Sequence, residues 1–305
     1  MSDVRDMYTT NKGGLIPSEV AEHHKLIGNK IIDQSLKDAK VKIKNIDLIS
    51  FSNSPGLAPC LLSTMHIAKD LAIKNKKPLL GVNHVSSHLT LGELLTKTKN
   101  PVFIFVSGAN TQIISYEGGS YRVLGESLDI GLGNALDKFG REINLGFPAG
   151  PKIEQLAKKG KYIELPYTVK GMDLAFSGII TSALNHYKKN TKIEDLCFSL
   201  QETFFSMLTE VTERSLAFTE KNSALLIGGV AANQRLVEML TIMCKDRNCK
   251  FSYVPLKYSG DNGVQIAWQG ILEYLNGREQ KINEIDISPR LRIDQVDVNW
   301  IKQNI

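Results

Sequence analysis

The sequence contains few cysteines, and their spacing excludes a disulfide framework and a zinc knuckle. Cys60, Cys197, Cys244 and Cys249 are scattered through 305 residues without a CxxC pair, so we expect free thiols in a reducing compartment. No apolar run reaches the length of a membrane span, and the first residues lack a signal-peptide core. These absences predict a cytoplasmic protein without a membrane partner.

Internal repeats, low-complexity segments and charged tails are also missing. The net charge is +5 and the basic residues are spread along the chain, which permits a polyanionic partner but does not require one. Short lysine clusters at 74–77, 158–161 and 188–189 are typical of solvated corners. With 42% apolar and 23% charged residues, the chain has the composition of a globular enzyme and is long enough for two medium domains.

Helices and buried strands alternate in the first part of the chain. The apolar spacing predicts a helix over 17–37, with Ser18 as its N-cap, and strands over 46–52 and 78–83. Another helix is predicted over 60–73. This order of strand, helix and strand is typical of a parallel sheet covered by helices.

The pattern changes near residue 100, which indicates a new subdomain. Strands over 101–107, 111–116 and 121–125 are separated by turns short enough for hairpins. Apolar periodicity then predicts helices over 132–143, 177–189, 193–220 and 233–246, and a helix holding Glu154. The apolar stripe of the 193–220 helix is expected to lie in the core, and Asn233 is expected to cap the helix that follows it. Strands are predicted over 223–231 and 251–256, with a last helix after Gly263.

The stretch Gly81-Val-Asn-His-Val-Ser-Ser-His88 joins a predicted strand to a predicted helix. His84 and His88 stand at i and i+4 on that helix, so both imidazoles share a face and can bind one metal ion. Such a pair is also common at capping and core positions. Asp261 lies in a glycine turn before the last helix, and two histidines with one carboxylate suit an open zinc or iron site. The alternative role for Asp261 is that of a helix N-cap.

Three glycine-bearing turns follow predicted strands, at 107–111, 227–233 and 259–263. Glycine lets backbone N–H groups approach an anion closely, and a helix N-terminus adds a favourable dipole. Each turn alone is compatible with a purely structural role. Together, in a chain of two α/β lobes, they predict a nucleotide phosphate held between the lobes.

An ordered series of motifs resembles one protein family over nearly the whole chain, from about Met7 to Trp300. The sequence is similar to the universal tRNA threonylcarbamoyltransferases in their archaeal and eukaryotic branch, the catalytic subunit of the KEOPS complex. The motifs lie at 81–88, 106–112, 125–134, 167–178, 199–202, 228–233 and 260–263. The resemblance implies a two-lobed α/β fold of the actin-like/hexokinase-like ATPase (ASKHA) type, here without the first N-terminal hairpin.

The resemblance also implies an activity and a division into lobes. Family members transfer the threonylcarbamoyl group from threonylcarbamoyl-adenylate to the exocyclic amine of an adenine next to the tRNA anticodon, with a metal bound in the cleft. Residues 1–100 with about 265–305 would form an N-terminal lobe that carries the metal histidines and docks partners. Residues 101–264 would form a C-terminal lobe that carries the nucleotide-binding loops.

The site residues implied by the resemblance fall into two groups. His84, His88 and Asp261 would bind one divalent metal per subunit, iron or zinc, and no further catalytic residue is implied. An adenine nucleotide, ATP or threonylcarbamoyl-adenylate, would contact Val106, Ser107, Gly108, Ala109, Asn110, Asp137, Gly150, Glu154 and Asn233. The implied partners are tRNA and KEOPS-like subunits: a small kinase-like ATPase, a dimerising subunit and an accessory subunit.

The sequence departs from the family pattern at several positions. Phe105 stands where a metal-reaching tyrosine is usual, and Leu62 stands where an arginine is usual. Ala109 and Ala149 replace glycines, so their methyl groups are expected to crowd the ligand, or to cost strain if φ is positive. Two alternatives follow: a catalytically weakened relative acting as a nucleotide-binding scaffold in the same complex, or another ATPase or kinase of this fold. Retention of the metal and nucleotide residues favours the enzyme.

Overall fold

The computed structural model describes residues 2–9 and 16–301, and the chain divides into two compact units. The first comprises Met1–Leu91, Gly118–Tyr121 and Asn262–Ile305, and the second comprises Gly92–Glu117 and Arg122–Asp261. The lobe boundaries predicted near residues 100 and 264 stay a prediction. None of the helices in the described ranges combines the length and apolar character needed to cross a membrane.

Every helix and strand predicted from the sequence is present, although several boundaries shift. In chain order the elements are α1 (Pro17–Asp38), β1 (Ile49–Ser54), α2 (Ala58–Asn75), β2 (Leu79–Asn83), α3 (His84–Thr96), β3 (Val102–Val106), β4 (Thr111–Glu117), β5 (Ser120–Glu126), α4 (Leu132–Glu142), α5 (Gly150–Ala157), β6 (Val169–Lys170), β7 (Asp173–Leu174), α6 (Ser177–Lys188), α7 (Ile193–Thr219), β8 (Ser223–Ile227), α8 (Gln234–Asp246), β9 (Lys250–Tyr253), α9 (Leu256–Ser259) and α10 (Gly263–Leu275). Short 3-10 helices lie at Ile43–Asn45, Gly229–Ala232 and Ile293–Gln295.

The first unit is built on a parallel pair of strands. β1 and β2 pair from Ile49 and Leu79 onward, and α2 packs its buried face against them. Phe51 of β1, Leu79 of β2 and Met65 of α2 share one apolar cluster with Ile285, which follows α10. The burial of these side chains holds the start of β2, the strand that leads into the histidine stretch.

Two boundaries predicted in the first unit are wrong. Ser18 does not cap α1, because the N-cap is Ile16 and the helix begins at Pro17, whose missing N–H and fixed φ suit the first helical position. β1 begins at Ile49 rather than residue 46, because its partner β2 begins only after Pro78. The N–H of Ile49 donates to the carbonyl of Pro78 at 3.0 Å, and residues before Ile49 have no strand beside them.

The second unit contains most of a five-stranded sheet with the order β5-β4-β3-β8-β9. β3 pairs antiparallel with β4 and parallel with β8, and β8 pairs parallel with β9. All residues of β3 and β8 are buried, as expected for strands covered on both faces. Since β3 and β8 are parallel and adjacent, their carboxyl ends lie next to each other, and the turns that follow them start at neighbouring positions.

Helix α7 forms the centre of the second unit. Its predicted apolar stripe is confirmed: Leu200, Phe204, Phe205 and Leu208 are fully buried, and Phe204 packs on Phe176 with ring centroids 4.7 Å apart. The stripe joins the side chains of α4, α5, α6 and α8 in one core.

Two strands of the second unit end earlier than predicted. β8 stops at Ile227 instead of residue 231, because Gly228 adopts φ +97° and residues Gly229–Ala232 wind into a 3-10 helix. β9 stops at Tyr253 instead of residue 256, because Pro255 starts the short helix α9. The early end of β8 leaves a turn before Asn233, and the early end of β9 leaves a turn and the short helix α9 before Asp261.

Candidate metal centre and nucleotide loops

The histidine pair is positioned by the junction between β2 and α3. Asn83, the last residue of β2, accepts hydrogen bonds through its Oδ1 from the N–H groups of Val85 and Ser86, at 2.9 and 3.0 Å. This buried side chain therefore caps the helix that begins at His84. The rings of His84 and His88 lie one helical turn apart, with centroids separated by 4.8 Å and planes inclined by 85°.

Asp261 supplies a carboxylate to the same cluster. One ligand atom each from His84, His88 and Asp261 lies within 4.8 Å of the others. The alternative role of Asp261 as the N-cap of α10 is wrong. Asn262 is the N-cap, and its Oδ1 accepts a hydrogen bond from the N–H of Gln265 at 2.9 Å. Asp261 precedes the cap and is exposed, so its carboxylate is not needed to satisfy the helix end.

The donor set fits a divalent transition metal. Two imidazole nitrogens and one carboxylate oxygen are the ligands of open zinc sites and of non-haem iron sites. Tetrahedral ligands bound at about 2.1 Å lie about 3.4 Å apart, so ligand atoms within 4.8 Å of one another would have to approach by at most about 1.4 Å to hold an ion. His88 is buried, His84 is half-buried and Asp261 is exposed, so the cluster reaches the surface on the side of Asp261 and His84.

A buried polar network ties α3 to α10. The hydroxyl of Thr90 donates to Oε1 of Gln269 at 2.8 Å, and Nε2 of Gln269 donates to Glu273 at 2.7 Å. Arg278 forms an ion pair with the other carboxylate oxygen of Glu273, which is fully buried. The network fixes the turn of α3 that follows His88 against the helix that follows Asp261.

Replacing the buried Glu273 with glutamine is expected to make the stability of the chain less sensitive to rising pH. Burial raises the pKa of Glu273 above its ordinary value of 4.5, although Arg278 and Gln269 oppose the shift. Between the unfolded and folded pKa values the native state therefore binds more protons than the unfolded chain, and stability falls as pH rises. Glutamine does not titrate. The free energy of unfolding of the Glu273→Gln variant should therefore increase, relative to that of the wild type, from about pH 4.5 upward.

Urea denaturation over a pH series measures this difference. The exposed Glu279 offers a matched control, Glu279→Gln. Parallel stability profiles for wild type and Glu273→Gln would contradict the prediction, because they would show that folding does not change the pKa of Glu273.

The turn after β3 rests on the N-terminus of α4. The N–H of Ser107 donates to the carbonyl of Asn110 at 2.8 Å, and the N–H of Asn110 donates to Oγ of Ser107 at 3.1 Å. The N–H of Asn134 in α4 donates to the carbonyl of Gly108 at 2.9 Å. The turn is closed by its own bonds, and its tip, Gly108 and Ala109, is exposed.

Gly228 lets the turn after β8 lie against the end of β3. The register pairs Phe105 with Ile227, so Gly228 follows directly beside Val106. A Cβ atom on Gly228 would lie 2.3 Å from the carbonyl oxygen of Val106, and the residue has φ +97°. Only glycine fits this position, because both the backbone angle and the close approach exclude a side chain.

Two predicted nucleotide contacts, Asp137 and Glu154, each use one carboxylate oxygen to hold neighbouring backbone. Asp137 accepts a hydrogen bond from the N–H of Ala149 at 2.7 Å, directly before Gly150 and the start of α5. Glu154 accepts one from the N–H of Gln234 at 2.8 Å, at the start of α8. Both side chains are half-buried.

Asn233 is confirmed as the N-cap of α8. Its Oδ1 accepts hydrogen bonds from the N–H groups of Arg235 and Leu236, and its Nδ2 donates to Oε1 of Gln201 at 3.1 Å. All nine predicted nucleotide residues belong to the second unit. The pairing of β3 with β8 places the turns 107–110 and 228–233 side by side.

A family model and sequence relatives show which family this chain belongs to. The model for tRNA N6-adenosine threonylcarbamoyltransferase matches residues 2–268. The chain belongs to the tRNA N6-adenosine threonylcarbamoyltransferase family. It is 49% identical to a Thermococcus kodakarensis protein of that name, over 98% of this chain and 93% of that protein.

Some relatives in this family are longer. The chain is 50% identical, over 97% of its length, to a Methanocaldococcus jannaschii protein named probable bifunctional tRNA threonylcarbamoyladenosine biosynthesis protein. It spans about half of that relative, 55% of its length. Among solved structures, Thermococcus kodakarensis HypF superposes with a TM-score of 0.62 at 16% identity, over 81% of this chain and 43% of that one. This likeness confirms the predicted α/β fold of the actin-like/hexokinase-like ATPases.

One motif of the threonylcarbamoyltransferase family, Ser199–Glu202 on α7, supports the Asn233 turn. Besides the bond from Asn233 to Gln201, the guanidinium of Arg235 donates to both carboxylate oxygens of Glu202, at 2.8 and 2.7 Å. Apolar periodicity alone indicates no role for this motif. The feature of the sequence that marks this motif is the pair of adjacent polar residues, Gln201 and Glu202, inside an otherwise apolar helical stripe.

Asp129, in another family motif, anchors the start of α6 and was also missed. Its carboxylate accepts hydrogen bonds from the N–H groups of Phe176 and Ser177, at 3.0 and 2.9 Å. Partial burial would raise the pKa of Asp129, but these backbone donors and that of Ile130 hold it below its ordinary value. The carboxylate is therefore charged where it meets the helix N-terminus.

The alanines that replace family glycines do not strain the backbone. Ala149 has φ −88° and ψ −27°, and Ala109 does not have positive φ either. The condition for backbone strain, a positive φ, is therefore not met at either alanine. The methyl group of Ala149 is buried and faces Gly140, where an added Cβ would lie 2.1 Å away. Phe105 is fully buried in the core sheet, and Leu62 is exposed on α2.

Proposed function

We propose that this chain transfers the threonylcarbamoyl group from threonylcarbamoyl-adenylate to the exocyclic amine of the adenine next to a tRNA anticodon. The observation that carries the proposal is the cluster of three ligand atoms from His84, His88 and Asp261, within 4.8 Å, in a chain of this family. The names of the Thermococcus and Methanocaldococcus relatives support the same reaction.

His84, His88 and Asp261 would hold one divalent ion, iron or zinc. When bound, such an ion would act as a Lewis acid toward the carbonyl of the threonylcarbamoyl group. The contribution of the chain itself is orientation. Asn83 caps α3 and fixes the direction of the histidines, and the Thr90–Gln269 hydrogen bond fixes α3 relative to α10.

The adenylate would lie along the turn formed by Val106, Ser107, Gly108, Ala109 and Asn110. The nitrogen of the adenine amine forms a bond to the carbonyl carbon and loses one proton to solvent. The bond between that carbon and the phosphate oxygen breaks, and the departing AMP phosphate gains the negative charge. Backbone N–H groups at the glycine turns would stabilise that charge without having to reorganise. Gly150 and Asn233 would adjoin the phosphate and nucleoside, and the second carboxylate oxygens of Asp137 and Glu154 would accept from ribose hydroxyls.

The partners in this proposal are tRNA and a KEOPS-like set of subunits: a small kinase-like ATPase, a dimerising subunit and an accessory subunit. A catalytically weakened scaffold that binds nucleotide within the same complex is the second candidate. The observation that favours it is Phe105, which offers no oxygen where the resemblance leads us to expect a tyrosine.

Transfer from preformed threonylcarbamoyl-adenylate to tRNA, with partner subunits present, tests the proposal. We expect turnover by wild type and a loss of about tenfold or more in nucleotide affinity for Glu154→Ala, because a hydrogen bond to a charged acceptor contributes about 1.5–3 kcal/mol. Calorimetry measures the affinity separately from transfer. The exposed Glu164 provides the control, Glu164→Ala.

Failure of wild type to transfer, with nucleotide binding intact, would contradict the enzyme and favour the scaffold. Equal nucleotide affinity in Glu154→Ala and the control would remove Glu154 from the nucleotide site.

A further inference from the structure

Two lysine-rich loops of the second unit lie next to each other. The first follows α5 and carries Lys158, Lys159 and Lys161, and the second, between α6 and α7, carries Lys188, Lys189 and Lys192; all six side chains are exposed. A Cβ atom on Gly160 would lie 2.1 Å from the carbonyl oxygen of Glu194, and the N–H of Lys161 donates to Asp195 at 2.7 Å. The first loop therefore packs directly against the end of the second. We call the six lysines the lysine face.

The positive charge of the lysine face is not neutralised by the fold. Within the described residues, none of the six ammonium groups forms a hydrogen bond or an ion pair, although Glu194 and Asp195 lie nearby. Elsewhere on the same unit, basic side chains of α7 and α8 are paired, as in Arg214–Glu210, Arg235–Glu202 and Arg247–Glu213. In residues 158–164 and 188–195 six lysines outnumber three carboxylates, those of Glu164, Glu194 and Asp195, and the excess positive charge attracts a polyanion.

Aromatic rings and a groove accompany the charge. A surface groove of about 650 Å³ is lined by Leu156, Tyr187, Lys188 and Lys192, among others. Tyr162, adjacent in sequence to Lys161, is 58% exposed. Lysines bind phosphates without reading sequence, and exposed aromatic rings stack on unpaired bases. A membrane surface would instead require an apolar helix face, which these loops lack.

We propose that the lysine face binds the phosphodiester backbone of RNA and that Tyr162 stacks on an unpaired base. The inference rests on the proposed function, since it assigns a surface of this chain to the tRNA substrate. It concerns a part of the second unit distinct from the residues predicted to hold the nucleotide. The lysines contribute affinity and orientation, while the chemistry stays with the metal and nucleotide residues.

Binding of a tRNA transcript, followed by fluorescence anisotropy over a salt series, tests the lysines. The triple variants Lys158/Lys159/Lys161→Ala and Lys188/Lys189/Lys192→Ala each remove three charges. Exposed Lys42, Lys44 and Lys74 of the first unit give a control triple variant with the same net charge. Loss of three phosphate contacts should weaken binding about tenfold or more and reduce the slope of log K against log salt by about 2, while the control keeps the wild-type slope.

The variant Tyr162→Ser separates stacking from charge. It should weaken tRNA binding about fivefold, with the salt slope unchanged, because stacking releases no counterions. Lysine-face variants that bind like the control, or a wild-type chain that binds no tRNA, would overturn the inference. The proposed function is tested separately, by transfer to tRNA in the wild-type chain. If the wild type transfers and the lysine-face variants bind tRNA as tightly as it does, the proposed function stands and only the lysine-face inference fails.

Discussion

Replacing His88 with alanine is expected to remove the bound metal from the chain and to lower threonylcarbamoyl transfer by about 100-fold or more. His88 is buried and its ring lies 4.8 Å from that of His84. Without it only one nitrogen and one oxygen ligand remain, which is too few to hold a divalent ion tightly. Elemental analysis of metal per chain, after dialysis against a weak chelator, measures the first effect directly.

Another histidine provides the control. His66 is exposed on α2 and lies outside the cluster of three ligand residues, so His66→Ala should retain the wild-type metal content. The half-buried His84 allows a second variant, His84→Ala, that disturbs packing less than removal of His88. Retention of one metal per chain by both variants would show that these histidines are not the ligands.

Replacing Gly228 with alanine is expected to destabilise the chain by about 3 kcal/mol and to abolish high-affinity nucleotide binding. The backbone at φ +97° and ψ 168° lies in a region essentially restricted to glycine and costs about 1–3 kcal/mol for other residues, and overpacking costs about 1–3 kcal/mol more. The methyl group would have to displace the carbonyl of Val106, 2.3 Å away. Any relaxation therefore moves the start of the Ser107–Asn110 turn. Urea denaturation and calorimetric nucleotide titration measure the two effects.

The neighbouring glycine is a matched control. An added Cβ on Gly229 would meet nothing within 4 Å, and the residue does not have positive φ. Gly229→Ala should therefore change stability by no more than about 0.5 kcal/mol. Equal effects of the two substitutions would mean that the close approach at Gly228 is not a constraint on the fold.

Local patterning was sufficient for most of the helices and strands and for two of the three residues of the candidate metal cluster. Two histidines four residues apart after a buried strand needed only a helix to bring their rings together, and the Asn83 cap starts that helix at His84. Asn233 was likewise identified as a cap because capping depends on residues within one turn. Where two local signals competed, as between Pro17 and Ser18, the sequence did not resolve which one set the helix start.

The remaining features depend on residues that are distant in the chain, and periodicity carries no information about such contacts. Asp261 joins histidines more than 170 residues earlier. Gly228 is constrained because β8 pairs with β3 in a register that puts it beside Val106. Asp137 and Glu154, which resemble ordinary helix carboxylates in the sequence, hold backbone N–H groups that only packing brings near. Side-chain spacing is thus set by the local helix or strand, whereas the partner of each polar group is set by which strands and helices come together.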